Sequence, residues 1–195
     1  MIAMQPSSFY PGLSDDRLRT IASRLLDVRF STMQELNSPF DDNYTRESTV
    51  FGRSRNMLLH LGKQKIPWLD IKHSGMDVTI GIDSVPCRFF RDYVDNPEKR
   101  GFFKRNAVDC LFDIDETQPV MWRFVIERAL NEDDEDRVFF IGYNVYHEKV
   151  AEWMYQNSTP TLHTVDNLTP APALLMPAEI DIRDDEAAVK TSTSI

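Results

Sequence analysis

Glycine is scarce here, seven in 195 residues. The chain contains no Gly-rich phosphate loop, no dinucleotide fingerprint and no serine nucleophile elbow, which removes the commonest nucleotide-binding and hydrolase signatures. Cysteine is scarcer still. Cys87 and Cys110 are too few for a disulfide scaffold. The first residues carry no basic stretch followed by an apolar one, as a secretory signal would, so both are expected as buried thiols in a cytoplasmic protein. Four histidines, His60, His73, His147 and His163, stand at no ligand spacing, and the cysteines do not complete a zinc set. We expect no metal and no cofactor. No apolar run approaches the roughly 18 residues that span a bilayer, so no membrane association is expected.

What is present suits a globular domain. Hydrophobic residues make up 42%, aromatics 11% and charged residues 27%, enough to build a core under a charged surface. The net charge of −9 is unevenly spread. Residues 1–110 hold 16 basic against 14 acidic side chains, and residues 111–195 hold 6 against 17. Attraction to a polyanion must therefore come from the first half.

Leu18, Ile21, Ala22, Leu25 and Leu26 recur at helical spacing within 14–36, with Ser14 placed as a cap and Asp15 and Asp16 in the first turn. A second helix is expected near 45–61, ending at Gly62. From residue 66 the texture turns β-branched and aromatic. Short strands are expected near 66–72, 77–82 and 86–92, then over 120–129 and 136–145. Residues 102–114 are ambiguous between helix and strand. Val150, Trp153 and Met154 suggest a closing helix over 146–156. Trp68, Trp122 and Trp153 all fall in apolar segments and are expected in the core. Residues 157–195 hold four prolines, six threonines and no aromatic, so they are expected to be disordered. Their alternating "EIDIRDDE" (179–186) suggests a segment that orders on a partner, for example as an added strand.

The densest cluster of chemistry is "CRFFRDYVDNPEKRGFFKRN", residues 87–106. Arg88, Arg91, Lys99, Arg100, Lys104 and Arg105 interleave with aromatics that include Phe102 and Phe103. Cations neutralise phosphates or acidic partners, and exposed rings stack on unpaired bases. In a strand, however, the same aromatics turn to the core and the cations to solvent. The acidic run Glu132, Asp133, Asp134, Glu135 and Asp136 lies between two strand-like segments. It suits a solvated hairpin tip or an acidic partner surface. It lacks the alternate ligands and glycine of a calcium loop. "LDIK" (69–72) resembles the acidic-spacer-lysine pattern of metal-dependent nucleases of restriction-endonuclease type, which implies a site of Asp70 and Lys72 with a second acidic ligand, Asp77 or Asp83, and Glu47 from the preceding helix, the set being Glu47, Asp70, Asp83 and Lys72. Asp83 follows the lysine strand instead of preceding it, contrary to that pattern. His147 with Glu148 makes a further acid–base pair, although a surface or capping role is commoner.

The expected architecture is α+β. It comprises a flexible lead over 1–13, two N-terminal helices, a mostly antiparallel sheet of about five strands and a closing helix, forming one domain over 14–157 before a disordered acidic tail over 158–195. The expected activity is a non-enzymatic binding or regulatory role through protein–protein contacts. The alternatives are nucleic-acid binding through 87–106 and Mg²⁺-dependent cleavage at Asp70 and Lys72.

Overall fold

The computed structural model describes residues 3–105, 118–129 and 135–156, and the fold is α+β. Two helices, α1 (Asp15–Glu35) and α2 (Asn43–Lys63), precede a six-stranded sheet. The strands are β1 (Leu69–His73), β2 (Thr79–Ile82), β3 (Val85–Arg91), β4 (Met121–Glu127), β5 (Arg137–Tyr143) and β6 (Lys149–Met154), and they lie side by side in chain order. Every neighbouring pair is antiparallel except β3–β4, which is parallel. A parallel pair needs a crossover connection, and residues 92–120 provide one. No helix among the described residues is long and apolar enough to cross a membrane.

The sheet is covered on both faces. On one, α1 and α2 bury Leu18, Ile21, Ala22, Leu25 and Leu58 against Ile80, Ile82, Cys87, Phe89, Trp122, Phe124 and Phe140. The opposite face packs Met121, Val125, Phe139, Ile141 and Tyr143 beneath Val94 and Phe102 of the crossover segment. Period-2 alternation along β4 and β5 feeds both cores at once, which is why these strands read as continuous apolar runs. Trp122 stacks on Phe140 with ring centroids 5.1 Å apart and lies over Gly142, its partner across β4–β5. Trp122 and Trp153 are buried, whereas Trp68 is half-buried with Arg17 over its ring.

Three expectations change. The closing helix is the strand β6. Ala151 and Trp153, two apart, point into the core, and the Asn144 side chain accepts from the N–H groups of Tyr146 and Glu148 to shape a hairpin with β5. His147 takes a φ of 65° in that turn and stacks on Phe103, a structural role. Among the described residues the strands number six instead of about five. Third, residues 3–13 are not a loose lead. Met4 bridges Ala151, Pro6 opens a 3-10 turn, and Leu13 is buried. At α1, Ser14 occupies the cap position without a side-chain cap bond, while Trp153 donates to Asp15 in the first turn. Asp42 caps α2 through Thr45 N–H at 2.7 Å. Cys87 is buried with its Sγ donating to the Ile80 carbonyl at 3.6 Å, and Cys110, like the tail over 158–195, lies outside the described residues.

Candidate functional site

The β2–β3 ladder stops early. Its register runs Ile82↔Val85, Gly81↔Pro86 and Ile80↔Cys87 and goes no further. The cause lies in the β1–β2 connection. Arg55 of α2 donates to the carbonyls of Ser74 and Gly75, at 2.6 and 2.8 Å, and so holds that turn against the helix. Residues Met76–Val78 therefore leave the sheet line, and the last residues of β3 run on beside β4 alone among the described strands.

A groove of about 880 Å³ fills the notch between α2, residues 76–78 and this end of β3. Val50, Val78, Phe89 and Ile126 form buried apolar walls, and Phe51 stacks on Phe89 at 5.5 Å. Tyr44 and Met76 stand 79% and 71% exposed at its mouth, a large apolar surface left in water. Arg88, Arg91, Lys99 and Arg100 line it as well, with Glu47 and Asp77 opposing them.

Each cation is positioned by a specific neighbour. Arg88 lies over the Phe90 ring at 5.0 Å and donates to the Lys104 carbonyl. Arg91 sits 3.7 Å from Glu47, and its buried Nε makes no hydrogen bond. Lys99 and Arg100 are exposed at the end of a loop wound around Asp92. That buried carboxylate accepts from the N–H groups of Tyr93, Glu98 and Lys99, at 3.0, 3.0 and 2.8 Å. Sequence reasoning missed Asp92. Its signal is an acidic residue at a strand end shortly before Asn-Pro, where a carboxylate turns the chain.

The basic-aromatic segment therefore divides. Arg88, Arg91, Lys99 and Arg100 share the groove. Phe102 is fully buried, and Phe103 packs between Tyr143 and His147, so neither offers a free face. Lys104 and Arg105 lie outside the groove lining.

The remaining candidates are dispersed. Glu47 pairs with Arg29 of α1 at 3.2 Å, and Arg29, 3% exposed, also binds Asp136. The second oxygen of Asp136 accepts Ala129 N–H at 2.8 Å. Asp136 is thus a structural member of the acidic run. Glu135 is exposed, and residues 132–134 lie outside the described residues. Asp70 and Lys72 neutralise each other at 2.8 Å on the sheet face turned from the helices, against Gly81. Asp83 sits in the β2–β3 turn and faces Arg17 at 3.7 Å. Glu47, Asp70 and Asp83 thus belong to separate ion pairs, and among the described residues no three metal-ligating side chains come together. A second cavity of about 680 Å³ beside β6 mixes Asp15, Arg19, Lys149 and Glu152, whose charges pair with one another.

Compared with known proteins, the chain matches no family model, no curated protein and no solved structure.

Proposed function

We propose that this chain is a non-enzymatic binding protein acting through protein–protein contacts, and that the groove between α2 and β3 takes an acidic partner. The observation that carries this is the meeting of four cations with an apolar floor in one open groove of about 880 Å³. Apolar contact supplies affinity, and the cations supply orientation and association rate. Arg29, Glu47 and Arg91 form a continuous ionic chain from α1 to the groove, which fixes its wall.

Nucleic acid is the second reading, because phosphates would meet the same cations. The packing of Phe102 and Phe103 counts against base stacking by this segment. Cleavage at Asp70 and Lys72 ranks third, given that the two neutralise each other.

The test is fluorescence anisotropy with the full-length chain and two labelled probes of equal charge, an Asp/Ile peptide and a single-stranded oligonucleotide. We expect peptide binding that weakens about tenfold as salt is raised through the screening range. Lys99→Glu/Arg100→Glu should abolish it, and Lys104→Glu, outside the groove, should leave it intact. Binding of the oligonucleotide alone, or equal effects of the groove and control variants, would overturn the proposal.

A further inference from the structure

We propose that the groove accepts its partner as an added β-strand, paired to the overhanging end of β3, and that the partner segment alternates apolar and acidic side chains. This rests on the groove being the binding site and specifies what fills it.

The backbone supplies the first argument. In the β2–β3 ladder, alternate residues of β3 direct their N–H and C=O groups toward β2. The observed register places Cys87 in that set, and Phe89 and Arg91 continue it. Asp92 N–H goes the other way, to the Ile126 carbonyl of β4, as the alternation requires. Beyond Cys87 no described strand meets β3 on the β2 side. Phe89 and Arg91 therefore present a short row of main-chain donors and acceptors to the groove. Such an edge is a template for strand addition.

Side chains supply the second argument. Phe89 and Arg91 turn toward α2, where Phe51 and Val50 make the wall apolar. Arg88 turns to the opposite face with Phe90, the side on which the Asp92-bound loop presents Lys99 and Arg100. A strand laid beside β3 sends successive side chains to opposite faces. One set meets the apolar wall and the other meets Arg88, Lys99 and Arg100. Charge complementarity thus commits the occupant to an apolar-acidic alternation. A helix or a disordered acidic segment could not satisfy both faces and the strand edge.

The experiment uses the full-length chain and three labelled seven-residue peptides. One alternates Asp and Ile, one carries the same residues in separate Asp and Ile blocks, and one is the alternating peptide with its outward backbone amides N-methylated. The alternating peptide should bind at least about tenfold more tightly than the other two, the loss of one or two main-chain bonds with their register. On saturation, amide exchange at Phe89 and Arg91 should slow at least tenfold. If all three peptides bind equally and Lys99→Glu/Arg100→Glu abolishes each, strand addition is wrong while the groove remains the site. If the charge reversals change nothing, both fall. If only an oligonucleotide of matched charge protects these amides, the occupant is not a peptide strand.

Discussion

Single residues decide two features. Gly142 is required because a Cβ there would stand 2.9 Å from both Pro119 and Trp122, and strand backbone offers no easy retreat. Gly142→Ala should destabilise the chain by about 1–3 kcal/mol in urea unfolding, the range for overpacking a tight core. Asp92 accepts from three N–H groups, so Asp92→Ala should cost about 1–3 kcal/mol and also weaken acidic-peptide binding by displacing Lys99 and Arg100. A loss of stability with unchanged affinity would show that the loop does not position the cations. At this scale the sequence was partly legible. It marked the cations Arg88, Arg91, Lys99 and Arg100, but not that Phe102 and Phe103 are packed while Tyr44 and Met76 are exposed. That sorting depends on which face of the sheet the crossover segment covers, and no local pattern carries it.

At the scale of elements, α2 matters most because its first half walls the groove. Its cap, Asp42, has a pKa held below the usual carboxylate range, chiefly by the Thr45 backbone N–H and then by the Thr45 side chain. A lowered folded-state pKa means the cap stabilises above the unfolded value and is lost as pH falls through the folded one. Asp42→Asn keeps an acceptor without titrating. Wild type should therefore lose stability relative to Asp42→Asn on acidification below the usual carboxylate range. Parallel urea curves at neutral and acid pH would check this, and an unchanged gap would contradict it. Arg29 joins α1 to α2 and to the β4–β5 connection from a nearly dry position. Arg29→Met should cost about 3–5 kcal/mol, because Asp136 loses its cation and Glu47 keeps only the longer contact to Arg91. The helices were legible from their 3.6-residue stripes. β6 was not, since Val150, Trp153 and Met154 match a helix while Ala151 and Trp153 match a strand, and six residues are too few for periodicity to choose. The Asn144 turn chemistry settles it, and that turn shows only once β5 is in place.

At the scale of the whole molecule, topology makes the site. The order helix, helix, strands gave the α+β class, and alternation gave most strand positions. The groove follows from something less visible. β2 has four residues against seven in β3, because Arg55 draws the preceding turn to α2. The mismatch leaves β3 overhanging beside the crossover loop that carries Lys99 and Arg100. Charge segregation acts at the same scale, with a basic groove in a chain of net charge −9. Long-range repulsion of an acidic partner opposes local attraction, so moderate salt should slow association less than it would for a uniformly basic protein.

The most direct measurement is a footprint of the alternating Asp/Ile peptide on the full-length chain, read as backbone amide shift changes. Shifts gathered at residues 44–51, 76–78, 88–91 and 99–100 are the predicted result. Shifts gathered instead at Arg19, Lys149 and Glu152 beside β6, or at Lys104 and Arg105 alone, would contradict the assignment of the groove as the place where this protein meets its partner.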